Sequence, residues 1–326
     1  MARLSIADER WPVAGSFTIA RGSKSEAHVV TVTIGDGGYE GRGECVPYPR
    51  YGESVPQVMS ALEAARASVE AGLARDDIAS VIGPHAARNA LDCALWDLAA
   101  KRAARPVWEL AGLPPPVATV TAFTLSLDTP AAMGEAAARA ANRPLLKLKL
   151  GREGDEDRLV EVRRNAPASR LIVDANEGWR PENLEVMLAA CAGVGVELVE
   201  QPLPADDDEA LRGLARPVPV CADESAHGIG SLDALTGKYD AINIKLDKTG
   251  GLTPAIALAR AARARGLRVM VGCMLATSLS MAPAMLLAPL ADVIDLDGPL
   301  LLAKDRAQAI RYEGSLMYPP PPALWG

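Results

Sequence analysis

Between Lys147 and Asp297, acidic and basic residues recur at the ends of short apolar runs, a placement that could do chemistry. The runs are Leu145-Leu-Lys-Leu-Lys-Leu150, Leu171-Ile-Val-Asp-Ala-Asn176, Glu197-Leu-Val-Glu-Gln-Pro202, Val218-Pro-Val-Cys-Ala-Asp-Glu224, Ala241-Ile-Asn-Ile-Lys-Leu-Asp247 and Val293-Ile-Asp-Leu-Asp297. Three of the charges are the carboxylates Asp174, Glu200 and Asp223. Three carboxylates that converge on one cavity repel one another, and a divalent cation resolves the repulsion. All-oxygen donors with no His or Cys in the pattern favour the hard ion Mg²⁺ over Zn²⁺. Separate ion pairs to helix-borne Arg or Lys would be the purely structural alternative, but they do not account for the shared strand-end position.

Lys149 and Lys245 fall on strands to either side of those three carboxylates. Two amines facing each other across a cavity could remove a proton from carbon on one face and return it on the other. A buried Lys beside another cation becomes a base near neutral pH, and Lys147 is placed to act on Lys149 in that way. A metal would hold a substrate carboxylate and stabilise the charge that forms when the α-proton leaves. Asp295 and Asp297 end the last run. Two carboxylates side by side in a cavity suit a substrate cation such as an α-ammonium group.

The elements that must position these residues follow from the spacing. The steps from Lys149 through Asp174, Glu200 and Asp223 to Lys245 are 25, 26, 23 and 22 residues. A strand, a returning helix and the next strand take roughly 30 residues or more, so each step is one β–α repeat. One charge closing each repeat is the signature of a parallel barrel whose site lies at the C-terminal ends of its strands. Val117 to Leu125 reads as the first strand, Thr129 to Ala141 as an Ala-rich helix, and Arg268 to Met274 as a further strand. The count is eight strands with about seven helices, Glu182–Cys191 and Pro254–Arg265 among them. Side-chain alternation puts Lys147 with Lys149, Asp174 with Asn176, Asn243 with Lys245 and Asp247, and Asp295 with Asp297 on common faces.

The first 115 residues read differently. Phe17–Ala20 and Val29–Ile34 are strand-like, and Gly35-Asp-Gly-Gly38 turns the chain into Tyr39–Glu44. No helix follows those glycines, which argues against a dinucleotide loop. Ser54 caps a helix running to Glu70, and Ala86 to Lys101 has a helical period. Two polar loops, Ala20–Ser25 and Glu44–Glu53, read equally well as solvated surface or as parts of a site. The reading is thus an α/β chain, a modified TIM-like (β/α)7β barrel over 116–299 with an N-terminal α+β capping domain over 1–115. The tail 300–326 returns to pack on the cap.

Composition narrows the partners. Aromatics make up only 4% of the residues, so the core must be aliphatic. The net charge of −7 argues against nucleic acid, which demands a clustered basic face. Five cysteines without metal-type spacing point to reduced thiols in the cytoplasm. No signal peptide and no membrane-spanning run is evident.

The motifs resemble those of the enolase superfamily, in its muconate-lactonising subgroup, and within it the dipeptide epimerases. They are Lys147-Leu-Lys149, Asp174-Ala-Asn176, Glu200-Gln-Pro202, Ala222-Asp-Glu-Ser225, Asn243-Ile-Lys-Leu-Asp-Lys-Thr-Gly-Gly251, and Arg88-Asn-Ala-Leu-Asp-Cys-Ala-Leu-Trp-Asp97 in the cap. Asp295-Leu-Asp-Gly-Pro299 separates dipeptide epimerases from relatives acting on muconate, succinylbenzoate precursors or N-acylamino acids. The Ile19–Ser23 and Tyr48–Ser54 loops resemble those of bacterial L-Ala-D/L-Glu epimerases. The resemblance implies one Mg²⁺ on Asp174, Glu200 and Asp223, with Lys149 and Lys245 as acid–base pair and Lys147 supporting them. It implies an enediolate produced by 1,1-proton transfer. Asp295 and Asp297 would hold the dipeptide ammonium and Arg21 would face the glutamyl side chain, with Thr124 and Asn176 completing the substrate set. A role in recycling murein peptides follows, with a small dipeptide as partner; a homo-oligomer is left open. An N-acylamino acid racemase or cycloisomerase keeps the fold but lacks a use for the Asp pair. A binding protein without catalysis lacks a use for the two lysines.

Overall fold

The computed structural model describes residues 2–326. The cap opens with a three-stranded antiparallel sheet, β1 Arg3–Ile19, β2 Gly22–Asp36 and β3 Tyr39–Cys45. The first strand starts well before Phe17. Its sequence hides this because most of its side chains face solvent and its register shifts between Pro12 and Phe17. Gly22 starts β2, so the polar loop at 20–25 is the tip of a long hairpin. The helix Val55–Glu70 begins where expected, with Ser54 Oγ accepting from Gln57 N. The helix Ala86–Ala103 lies on the sheet so closely that a Cβ at Gly43 would strike the carbonyl of Ala90.

Eight parallel strands form the second unit: β5 Phe123–Leu125, β6 Leu145–Lys149, β7 Arg170–Asp174, β8 Val196–Glu200, β9 Val220–Ala222, β10 Ala241–Ile244, β11 Arg268–Gly272 and β12 Val293–Asp295. The backbone bond from Ala122 N to Ile294 O, 2.8 Å, joins the first strand to the last. The run 117–125 is therefore not one strand. Its first part, β4 Thr119–Val120, pairs with β14 Leu316–Met317, itself paired with β13 Tyr312–Glu313. Beyond this small sheet, the last residues turn to the cap. Trp325 Nε1 donates to Cys93 O and Gly326 N to Asp97 Oδ1.

Five helices of eight residues or more link the barrel strands among the described residues: Pro130–Arg139, Asp155–Asn165, Pro181–Gly193, Leu252–Ala264 and Ser278–Met285. The expected seven are not reached. The β8–β9 link carries Pro202, Pro204, Pro217 and Pro219 and forms only a 3₁₀ turn, Glu209–Leu211. The β9–β10 link holds Gly228, Gly230 and Gly237 and forms one short helix, Leu232–Leu235.

Period-two alternation stratifies the barrel interior. Ala122, Leu145, Ile172, Leu198, Cys221, Ala241, Met270 and Val293 form their own buried cluster, one residue from each strand position. They floor the barrel. The alternate residues, such as Leu146, Leu148, Val173, Val199, Ile242 and Val271, join the core shared with the helices. Two residues above the floor, the inward positions become polar.

Candidate active site

That second interior layer consists of Thr124, Lys147, Asp174, Glu200, Asp223, Asn243, Gly272 and Asp295, each two residues beyond a floor residue. One layer higher stand Lys149, Asn176, Lys245 and Asp297. The pairing of β6 with β7 is staggered by one layer, which brings Lys149 beside Asp174, while Asp174 pairs level with Glu200. Gly272 is required here, since a Cβ would lie 2.6 Å from Asn243 Oδ1. The space admits the Asn243 side chain, whose Nδ2 donates to Glu200 Oε1 at 2.7 Å.

The three carboxylates meet. One oxygen from each of Asp174, Glu200 and Asp223 lies within 4.8 Å of the others. Their counter-charges come from lysines at the strand ends, Lys147 and Lys149 on β6 and Lys245 just past β10, and from Lys248 in the short turn of helix that follows. Lys147 Nζ is 2.6 Å from Glu200 Oε2, 2.7 Å from Asp295 Oδ2 and 3.3 Å from Asp174 Oδ2. Lys149 Nζ donates to Asp174 Oδ2 at 2.5 Å, and Lys245 Nζ to Asp223 Oδ2 at 2.6 Å. Lys248 Nζ donates to Asp223 Oδ1 at 2.6 Å and to the carbonyls of Asp223 and Asn243. Lys147 is thus not a bare cation beside Lys149. Burial pulls its ammonium down, but Asp295, Glu200 and Asp174 outweigh that and push it well up.

The carboxylates divide. Burial and the neighbouring Asp174 charge push Glu200 up to about 7. Burial pushes Asp174 and Asp223 up too, but Lys149 and Lys147 hold the first well below the usual range, and Lys245 and Lys248 the second. Asn176 Oδ1, Glu200 Oε2, Glu224 Oε2, Asn243 Oδ1 and Asp295 Oδ1 are buried and accept no well-directed hydrogen bond. All but Glu200 Oε2, which faces Lys147 Nζ, are acceptors without donors, and around an all-oxygen cluster they fit a hard divalent cation.

A cavity of about 480 Å³ opens above the cluster, with Lys149, Asp223 and Lys245 at its base and Arg21, Lys24 and Tyr48 among its cap-side lining. Asp295, Asp297 and Thr124 line a narrow side recess with Lys147 and Lys149. Thr124 N donates to Asp297 Oδ2 at 2.6 Å. Burial, then the Asp295 charge, pushes Asp297 up to about 7.

Asp247 departs from the expected common face. The strand ends at Ile244 and the chain coils into Leu246–Thr249, so alternation no longer applies. Asp247 Oδ1 instead accepts from Val46 N at 3.0 Å and Asn89 Nδ2 at 2.8 Å, tying barrel to cap. Arg21 does reach the cavity, but it is engaged: Nη2 donates to Glu224 Oε1 at 2.7 Å and Nη1 to Glu177 Oε2 at 3.0 Å. Lys24 has no ion-pair partner among the described residues and lies 5.0 Å over the Tyr48 ring. Sequence reasoning missed Lys24, Glu177, Glu224 and Lys248. The last was legible in principle, standing three residues after Lys245 in a one-turn helix.

Residues 1–112 match the mandelate racemase / muconate lactonizing enzyme N-terminal domain, and residues 132–319 the enolase C-terminal domain-like family. The L-Ala-D/L-Glu epimerase of Escherichia coli is 46% identical over 314 residues, 96% of this chain and 98% of that protein. The N-acetyl-D-glutamate racemase of a Pseudoalteromonas is 44% identical over 91% of this chain and 95% of its own length. A crystal structure of an enolase family member from Agrobacterium tumefaciens, with homology to dipeptide epimerases and with bound sodium and L-Ala-L-Glu, superimposes with a TM-score of 0.98. It is 52% identical, with 100% of both chains covered. A dipeptide epimerase from Enterococcus faecalis, complexed with Mg and L-Leu-L-Tyr, gives a TM-score of 0.91 at 27% identity over 97% of this chain and 96% of that one. With both of its parts matched and close relatives aligned along nearly their whole length, this chain belongs to the mandelate racemase / muconate lactonizing enzyme family of the enolase superfamily.

Proposed function

We propose that this isomerase is a dipeptide epimerase that inverts the α-carbon of the second residue of L-Ala-D/L-Glu. One observation carries the reading: Lys149 and Lys245 face one cavity from either side of the Asp174–Glu200–Asp223 cluster. A binding protein needs one counter-charge there, whereas inversion at carbon needs a base on each face of the substrate. Asp174, Glu200 and Asp223 would hold Mg²⁺. When bound, the ion supplies a Lewis acid that offsets charge developing on the substrate's terminal carboxylate.

The remaining work belongs to the chain. One lysine takes the α-proton and the other delivers a proton to the opposite face, the lysine on β6 meeting the (S) epimer. Both are ion-paired to candidate metal ligands. With Asp174 and Asp223 as ligands of a cation, the two amines would be left to the substrate. Asp295 and Asp297, with Thr124 N fixing the second, would pair with the dipeptide ammonium. Asn176 lines the main cavity with Lys149 and Lys245. For the glutamyl carboxylate, Arg21 and the unpaired Lys24 supply positive charge at the cap side. The reading divides the chain into a cap (1–115 with 300–326) and a catalytic barrel (116–299). It places the reaction in the recycling of murein peptides in the cytoplasm. No helix among the described residues is long and apolar enough to cross a membrane.

Incubation with L-Ala-L-Glu in D₂O, followed by NMR, tests this directly. The expected outcome is α-deuterium at the second residue and appearance of the second diastereomer, both abolished by chelation and restored by Mg²⁺. Absence of both signals would refute the reading. N-acetylglutamate should be run in parallel, because of the racemase relative. Turnover of that compound alone would keep the proton chemistry and remove the dipeptide.

A further inference from the structure

We infer that Glu177 is a positioning residue that clasps both cap loops over the cavity and sets substrate affinity through them. The inference rests on the proposed epimerase reading only for its kinetic arm. Glu177 lies three residues beyond Asp174, at the C-terminal end of β7. It does not line the cavity.

Its carboxylate collects four donors from three separate segments. Oε2 accepts from Arg21 Nη1 at 3.0 Å and from Arg50 Nε at 2.8 Å. Oε1 accepts from Arg50 Nη2 at 2.7 Å and from Ala205 N at 2.9 Å. Arg21 is the tip of the β1–β2 hairpin, Arg50 sits in the 46–54 loop, and Ala205 follows β8. The arginines come from 156 and 127 residues away in sequence, so nothing local dictates this meeting. The Arg50 contact is two-pronged, the geometry in which a guanidinium binds a carboxylate most strongly. The Glu177 side chain is only 10% exposed, while Arg21 and Arg50 keep 29% and 36% of theirs exposed, so the pairs sit at the solvent boundary with the carboxylate on the inner side.

The backbone is bent to deliver that carboxylate. Asn176 and Glu177 have φ of 46° and 66°, in the left-handed region that disfavours side chains. Such strain persists only where the surroundings over-determine it. Here Glu177 N donates to Gln201 O at 2.9 Å, Asn176 O accepts from Arg21 Nη1 at 2.9 Å, and Asn176 N donates to Asp174 Oδ1 at 2.9 Å. One strained turn therefore holds a candidate metal ligand at one end and both cap loops at the other. Glu224 binds only Arg21, so it secures one loop where Glu177 secures two.

The test is Glu177→Gln, which keeps an acceptor for Ala205 N and removes the charge. Trypsin reads the loops directly, because cleavage after Arg21, Lys24 or Arg50 requires those loops to leave the barrel. Cleavage at these three sites should accelerate by roughly tenfold or more, the loss of about one charge-assisted contact. Cleavage after Arg75 and Arg139, which do not touch Glu177, should not change. KM for L-Ala-L-Glu should rise by a similar, roughly tenfold, factor while kcat stays within about threefold, as expected when binding rather than chemistry is weakened. Glu177→Asp should give the same changes at smaller size, since Asp tolerates the left-handed backbone, and it decides the question if the Gln variant does not fold. Unchanged loop cleavage, or a fall in kcat at constant KM, would overturn the clasp. If wild-type protein fails to epimerise the dipeptide, the proposed function falls, while the cleavage arm still decides the role of Glu177.

Discussion

Lys147 offers the sharpest quantitative test, because its ammonium serves three buried carboxylates at once. Lys147→Met keeps the aliphatic stem and removes only the charge. Asp174, Glu200 and Asp295 then lose a cation that lay within 3.3 Å of each, in a layer where Lys147 itself is 2% exposed. Removing one member of a buried ion pair typically costs about 3–5 kcal/mol. Unfolding entropy of about 2.1 cal/mol/K per residue gives roughly 0.7 kcal/mol/K for a chain of 326 residues. The metal-free variant should therefore melt about 4–7 °C below wild type. Mg²⁺ should narrow the gap, since it gives Asp174 and Glu200 a new counter-charge, but not close it, because Asp295 stays unpaired. Without Lys147 the three carboxyls take up protons more readily in the folded state. The deficit should accordingly be small below about pH 5 and widen as pH rises. Differential scanning calorimetry with chelator and with Mg²⁺, at pH 5 and pH 8, checks each step. A metal-free variant melting within about 1 °C of wild type at pH 8 would refute the claim that Lys147 neutralises this layer.

Other outcomes follow from the same geometry. Lys149→Ala and Lys245→Ala should each slow epimerisation by about 10²–10⁴-fold, the usual worth of a general base, while each retains α-deuterium exchange with one epimer only. Loss of exchange with both epimers in both variants would contradict a base on each face. Asp297→Asn keeps an acceptor for Thr124 N but removes charge from the side recess. Its KM for Ala-Glu should rise roughly 10- to 100-fold, the range for a lost charged hydrogen bond, and steady-state kinetics showing no change would remove the ammonium assignment. Asp247 has its carboxyl pushed up to about 7 by burial, so its charge costs folding energy that sets in above the ordinary value near 3.8 and is fully felt above pH 7. Asp247→Asn should therefore gain stability relative to wild type as pH rises from 4.5 to 8. Urea unfolding at the two values checks the sign, and a difference independent of pH would show the charge to be compensated.

The legible part of the molecule was the part governed by a short period. Strand alternation grouped Lys147, Asp174, Asn243 and Asp295 with their neighbours on inward faces, and each stands two residues above a floor residue of its own strand. The same rule failed for Asp247 one turn later, where the backbone coils and successive side chains no longer alternate. Chain-wide periodicity also misjudged the β8–β9 and β9–β10 links, whose length suits helices but whose prolines and glycines do not. Arg50, Glu177 and Glu224 lay beyond any local pattern. Their ion-pair partners are 127 to 203 residues distant, and only the docking of the cap on the barrel brings them together.

The balance of buried charge bears on the divalent ion of the proposed function. Lys147, Lys149, Lys245 and Lys248 are the buried lysines at the strand ends, and each meets at least one carboxylate. Asp174, Glu200, Asp223, Glu224, Asp295 and Asp297 are the buried carboxylates of the same region. Arg21, 2.7 Å from Glu224, adds a fifth cation, so six against five leaves one negative charge, in surroundings where an uncompensated charge is costly. Glu200, Glu224 and Asp297 answer that excess in the metal-free protein, each pushed up to about 7 by burial and then by a neighbouring carboxylate. One Mg²⁺ would turn that deficit into a single positive charge. On the proposed reading, L-Ala-Glu, with one ammonium and two carboxylates, would bring the one negative charge that balances it. Lys24, exposed at the cavity rim with no ion-pair partner among the described residues, adds positive potential on the cap side. A monovalent ion would leave the region one positive charge short once that substrate is bound.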